Sequence, residues 1–188
     1  MLRMKDLSLH VLDIVQNSVR AEADTIKVTL ELAPEGKLML LVEDDGRGMD
    51  AELLTRVGNP FVTTRTTRKV GLGIPLLKQN AEQAGGSLEI TSEPGRGTLL
   101  KADFVIRHPD CPPVGDLPEV AYLMMVSNPD LTIIFTLKSL HDESVWNSEH
   151  IRETLDGLSI QDPEIREGLR DWFQSDYQLF KQNLLLLS

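Results

Sequence analysis

One cysteine, Cys111, occurs in 188 residues. That excludes an internal disulfide framework and fits a reducing cytoplasm, which is the expected location. No apolar run approaches the ~20 residues of a membrane span. Met1-Leu2-Arg3-Met4-Lys5 leads into a polar-patterned segment, not a signal-peptide core, so no membrane association is expected. Positive charge is also scarce. With 19 Lys/Arg against 29 Asp/Glu the net charge is −10, which argues against nucleic-acid binding. Clustered metal ligands are missing as well. His108-Pro109-Asp110-Cys111 sets two ligand types three apart, but no Cys-x-x-Cys follows, and the stretch reads as a linker. There is no internal repeat and no low-complexity tract.

Hydrophobic residues make up 41% of the chain, enough for an ordinary core in one domain, or in one plus a small appendage. The charge is unevenly shared. Residues 1–106 carry 13 Lys/Arg and 15 Asp/Glu, whereas residues 107–188 carry 6 and 14. The acidic second part is either a solvated surface or a docking face for a basic partner.

Periodicity divides the chain. Leu7, Val11, Ile14, Val15, Ser18 and Val19 predict a helix over 6–22. Alternation predicts strands at 25–32 and 37–43 around the Pro34-Glu35-Gly36 turn. A short helix capped by Asp50 is expected over 50–57. Thr63–Val70 has no periodicity and reads as a loop. A helix over 72–84 is stopped by Gly85-Gly86, and two strands follow, near 87–92 and 98–106. Residues 108–115, with three prolines, divide a first region (1–107) from a small acidic C-terminal one (116–188). In the latter, helices are expected over 117–126, 148–155 and from Pro163 onward. Strands are expected near 131–137 and 144–146.

Four boxes carry the chemistry. Glu43-Asp44-Asp45-Gly46-Arg47-Gly48-Met49 follows an apolar strand. A carboxylate there can accept a hydrogen bond from an exocyclic amine, and the glycines let backbone pass close to a ring. Upstream, Asp13 and Asn17 share a helix face, with His10 and Arg20 on or near it. Downstream come Asn59-Pro60-Phe61-Val62-Thr63-Thr64-Arg65 with Val70-Gly71-Leu72-Gly73-Ile74-Pro75. The last box is Gly85-Gly86-Ser87 through Pro94-Gly95-Arg96-Gly97-Thr98. Alone, each is common. In this order and spacing, they resemble the GHKL ATPase superfamily of gyrase, heat-shock chaperones, mismatch-repair ATPases and histidine kinases. The last box looks most like the histidine-kinase branch.

The resemblance implies an α/β sandwich of the Bergerat type, with helices on one face of a mixed sheet, here bearing a small α+β C-terminal appendage. It implies ATP and Mg²⁺ as cofactors. Asn17 takes the place of the metal ligand, suited by its hard amide oxygen. Asp44 takes that of the adenine reader, with Gly46 and Gly48 on the pocket floor and Thr98 beside it. Asp45 and Arg47 are spacers. Arg20 resembles a phosphate-contacting residue. Gly71, Leu72 and Gly73 open a helix whose free N–H groups suit phosphate oxygens. Phe61, Arg65 and Lys69 belong to the segment expected to close over the nucleotide. At position 13 hydrolysing relatives carry Glu and histidine kinases often Asn. Asp13 is therefore either a general base or an aid to Mg²⁺ through water. His10 is read as a supporting or surface group.

Because this sequence starts close to the first box, no helical hairpin carrying a phosphoaccepting histidine is expected before it. The expectation is a regulator that binds ATP·Mg²⁺ and acts on an unidentified protein partner. The alternatives are a kinase acting in trans on His or Ser, as anti-sigma-factor kinases do, and a slow ATPase. Ile165, Leu169, Trp172, Phe173, Tyr177, Phe180 and Leu184 form an apolar stripe on the final helix. They point to intramolecular packing, a homodimer or a partner-docking helix.

Overall fold

A computed structural model describes residues 6–57 and 73–188. The expected loop at 63–70, and Phe61, Arg65, Lys69, Gly71 and Leu72, lie outside these residues.

Asp6 starts α1 (Leu7–Arg20) by accepting a hydrogen bond from the Leu9 N–H. The expected apolar stripe, Leu7, Val11, Ile14, Val15 and Ser18, is buried along it. Strands β1 (Thr25–Ala33) and β2 (Lys37–Asp44) form an antiparallel hairpin, turned by Gly36 at φ +73°. Helix α2 (Ala51–Val57) follows Asp50, whose carboxylate accepts from the Leu53 N–H. Helix α3 (Gly73–Gln83) leads into β3 (Ser87–Glu93) and β4 (Gly97–Val105), and β4 pairs antiparallel with β2. Beyond these lie α4 (Leu117–Ser127), β5 (Thr132–Lys138), β6 (Glu143–Asn147), α5 (Ser148–Leu155) and α6 (Pro163–Leu187).

The six strands make one mixed sheet in the order β3-β4-β2-β1-β5-β6. Only the β1–β5 pair is parallel. Side chains alternate across the pleat, so the register decides which rows face the core. Leu100, Val42, Val28 and Phe135 form one row across four strands, and Trp146 of β6 continues it. All five are buried, and α1, α3, α4 and α6 cover them. The opposite face is partly open to water and carries the cross-strand ion pairs Lys27–Glu43, Lys37–Asp103 and Glu31–Lys138.

The C-terminal region is joined to the first region through the sheet. Its β5 pairs along β1 from Thr25↔Thr132 to Glu31↔Lys138, so it widens the first region's sheet. The segment 108–115, read as a linker, also touches α1. Pro113 and Val114 accept hydrogen bonds from the Leu7 and Ser8 N–H groups, at 2.9 and 2.8 Å, in the first turn of α1. The physical reason is burial: β1 hides its core face completely, and the apolar β5 seals its second edge.

Helix α6 is bound into this body. Phe173 stacks on Trp146 with ring centroids 4.5 Å apart, and the Trp146 indole donates to Asp176 at 2.9 Å. Tyr177 donates its hydroxyl hydrogen to the Gly115 carbonyl, and Phe180 is buried. Burial, reinforced by Asp116 and Asp6, pushes the Tyr177 hydroxyl well above its ordinary pKa. Part of the sequence-predicted stripe is thus intramolecular core, while Trp172 remains 42% exposed.

Candidate nucleotide site

The row that ends the core is polar on one side. Register aligns Ser92 of β3, Thr98 of β4, Asp44 of β2, Ile26 of β1 and Ile133 of β5. Asp44 therefore stands on the helix-covered face, at the last pair of the β1–β2 ladder. One carboxylate oxygen accepts from Ser18 Oγ of α1 at 2.6 Å, and the other from the Gly46 N–H at 3.1 Å. A carboxylate offers about four lone-pair sites, so Asp44 retains capacity for another donor.

Thr98 lies directly opposite Asp44, but its hydroxyl is 3.0 Å from Ser92 Oγ. Ser92 also accepts from the Met49 N–H at 2.8 Å and donates to the Gly97 carbonyl. This serine holds the glycine turn after β2 against the β3–β4 hairpin, a role sequence reasoning missed. Backbone contact holds the same junction. A Cβ on Gly97, at φ +89°, would fall 1.8 Å from the Asp44 carbonyl oxygen, and one on Gly48, at φ +66°, 2.0 Å from that of Glu93. Gly46 sits against Ala21 at the end of α1, where the Arg47 N–H bonds the Ala21 carbonyl. Asp45, read as a spacer, has a structural task. Its Oδ1 accepts from the Asp24 and Thr25 N–H groups at 2.8 Å each and fixes the entry to β1. Burial opposes its ionisation, but these bonds prevail and keep its pKa below the ordinary carboxylate value.

The polar residues of α1 lie against one another. Asn17 Nδ2 approaches Asp13 Oδ2 at 3.4 Å, and Arg20 Nη1 donates to Asn17 Oδ1 at 3.0 Å. Asp13 reaches the start of α3 so closely that a Cβ on Gly73 would lie 1.9 Å from its Oδ2. Along α1, Ser18 and Asp13 are five residues apart, roughly 7.5 Å. One helix thus spans from the Asp44 carboxylate to the N-terminal end of α3, where free N–H groups favour anions. His10 lies one further turn along, but it is buried. Its Nε2 is 2.9 Å from Asn80 Nδ2 of α3. Burial lowers its pKa, outweighing the Gly73 backbone and the Asp13 and Asp6 charges, so the neutral ring is favoured.

Asn17 Oδ1 and the Asp13 carboxylate are hard oxygen donors one turn apart, the type Mg²⁺ takes. Among the described residues no cluster of three His, Cys, Asp or Glu offers to hold a metal by protein alone. A concavity of about 460 Å³ near Asp44 opens towards Lys27, Glu43, Arg96 and Leu99. Lys27, Glu43 and Leu99 alternate with the core row, so this space belongs mainly to the open face of the sheet, away from Asn17 and Asp13.

A mixed sheet covered on one face, with a strand-end carboxylate tied to the covering helix, defines an α/β protein of the Bergerat fold. The chain belongs to the histidine kinase-, DNA gyrase B- and HSP90-like ATPase family, whose match covers residues 4–110. It contains an ATP-binding, histidine-kinase-like ATPase domain. Over 90 residues it is 42% identical to the sensor protein kinase FleS of Pseudomonas aeruginosa, spanning 47% of this chain and 22% of that protein. Over 98 residues it is 30% identical to sporulation kinase E of Bacillus subtilis, spanning 51% of this chain and 13% of that one. The aligned part is thus a small fraction of these kinases. The N-terminal domain of a DNA repair protein has a similar fold, with a TM-score of 0.54 at 13% identity, covering 76% of this chain and 52% of that one. Among the described residues no helix is long and apolar enough to cross a membrane.

Proposed function

We propose that the chain is a cytoplasmic regulator that binds ATP·Mg²⁺ and acts on a partner protein. The observation that carries this reading is the span of α1 from Asp44 to the start of α3. Asp44 would accept the adenine amine while Ser18 and Gly46 hold its carboxylate in place. Asn17 would hold Mg²⁺ with help from Asp13, and Arg20 would meet phosphate. When bound, the cation would neutralise phosphate charge. Thr98, Gly48 and Ser92 would keep the adenine end rigid. Calorimetry with ATP and GTP tests the base: ATP should bind and GTP should bind at least about tenfold more weakly, because guanine presents a carbonyl where Asp44 needs a donor. Equal affinities would overturn the assignment.

The position of Asp13 favours a second reading, a kinase acting in trans or a slow ATPase. Its carboxylate stands at the N-terminal end of α3, within reach of a general-base role. Labelled ATP separates the readings. Label on a partner supports the kinase, free phosphate supports the ATPase, and binding without either supports the regulator.

A further inference from the structure

Helix α6 is fastened to the sheet by Phe173, Tyr177 and Phe180, yet the next face round the helix is left open. Trp172 there is 42% exposed, and across from it Val145 of β6 is 44% exposed. Between them runs a groove of about 570 Å³, with Ile151 and Leu155 of α5 and Leu169 of α6 along it. Asn147, His150 and Thr154 are the polar residues of its lining. None of these residues contributes to the nucleotide site. A half-exposed tryptophan and valine lining one apolar trough are what a partner side chain would cover.

The surrounding charge selects the partner. Residues 143–176 carry nine Asp/Glu and three Arg. Two of those arginines are engaged within the protein. Arg152 donates to the Leu131 carbonyl, while Arg170 pairs with Glu119 and lies over the Tyr122 ring. None of the nine carboxylates forms an ion pair among the described residues. A second copy docking by this face would set like charge against like charge. A basic segment would find the field complementary. Two helices wall the trough, which suits an amphipathic helix with apolar anchors on one side.

We infer that the groove between β6, α5 and α6 docks a basic amphipathic helix of a partner protein. The inference deepens, and rests on, the partner-directed reading of the function. The probe is a labelled Lys/Leu peptide of about five helical turns, with leucines at i, i+3, i+4 and i+7. Its fluorescence anisotropy is followed with the full chain.

The peptide should bind, with affinity falling steeply between low salt and about 0.5 M. A scrambled peptide of equal composition should bind at least about tenfold more weakly, and so should the wild-type peptide to Trp172→Ala or Val145→Glu. Both substitutions are at half-exposed positions, and retained ATP binding by calorimetry certifies the fold. Equal binding of the scrambled peptide, or undiminished binding by both variants, overturns the inference. A wild-type dimer that Trp172→Ala dissociates in light scattering also overturns it, in favour of a second copy. No peptide binding with intact ATP binding sinks the groove alone, whereas no ATP binding by the wild type sinks the nucleotide assignment.

Discussion

Ser18 donates to Asp44 Oδ2 at 2.6 Å and so joins α1 to the end of β2, 26 residues away in sequence. The bond fixes one carboxylate oxygen and orients the other acceptor positions. Asp44→Ala should abolish measurable ATP binding, and Asp44→Asn should weaken it by about tenfold or more, since a bond to a charged acceptor is worth roughly 1.5–3 kcal/mol. Ser18→Ala should cost less, because Gly46 still holds the carboxylate. Titration calorimetry on the three variants reads this order, and a Ser18 effect exceeding that of Asp44→Ala would reverse the assignment.

Asn17→Ala should weaken ATP binding more in the presence of Mg²⁺ than in its absence, because the lost group is the proposed metal ligand. Equal losses would leave Asn17 without that role. Asp13→Asn separates the two readings of its neighbour. Lost turnover with intact binding identifies a base, whereas unchanged turnover identifies a metal-assisting or structural carboxylate.

Gly97→Ala should be disproportionately harmful for a one-carbon change. The new Cβ meets the Asp44 carbonyl, a backbone atom that cannot rotate away, at a positive φ that disfavours side chains. A strain of about 1–3 kcal/mol would lower the melting temperature by several degrees in a chain of this size. ATP binding should fall too, since Asp44 itself must shift. Gly95→Ala, at a similar φ but with nothing near its Cβ, should cost less.

His10 makes stability depend on pH. Burial depresses its folded-state pKa below the unfolded value of about 6.5. The unfolded chain therefore binds the proton more readily, and stability rises with pH. The contribution is complete above about pH 6.5 and is lost as pH falls below it, with a limiting slope near 1.4 kcal/mol per pH unit for one proton. Denaturant titrations from pH 7.5 to 5 should show this limb in the wild type. His10→Gln, which keeps a polar group near Asn80, should flatten it.

Phe173→Ala should destabilise the protein by about 3–5 kcal/mol, as expected for a buried aromatic ring. The loss should appear in one cooperative transition that ATP binding follows, because α6 packs on the sheet that carries Asp44. Truncation after Ser175, which deletes Tyr177 and Phe180, should do the same. Two separate transitions would show that the C-terminal elements fold on their own.

Local signals explain what was legible. Asp50 stands at the helix start where capping chemistry places it, as do Asp6 and Asp162, whose carboxylates accept from the Leu9 and Glu164 N–H groups, and alternation in 25–32 and 37–43 exposes the β1–β2 hairpin. The face shared by Asp13, Asn17 and Arg20 follows from helical spacing alone. Long-range pairing left no such trace. Nothing in Thr132–Lys138 says that it lies parallel to Thr25–Glu31, because parallel neighbours are joined by distant crossovers rather than by turns. The tie of Ser18 to Asp44 was hidden for a similar reason, since Ser18 reads as one more position on an apolar stripe. His10 looked like a supporting or surface group, and only the arrival of Asn80 on α3 buries it.

The parallel seam also has a consequence during synthesis. β1 is made before β5, and the strand that closes its second edge follows more than a hundred residues later. Until then the growing chain holds an incomplete sheet, with Ile26, Val28 and Leu30 lacking Ile133, Phe135 and Leu137 alongside them. An open apolar edge is a template for pairing with other chains. A fragment cut at the family boundary near residue 110 would keep that edge open, and it is expected to associate with its own copies where the whole chain does not.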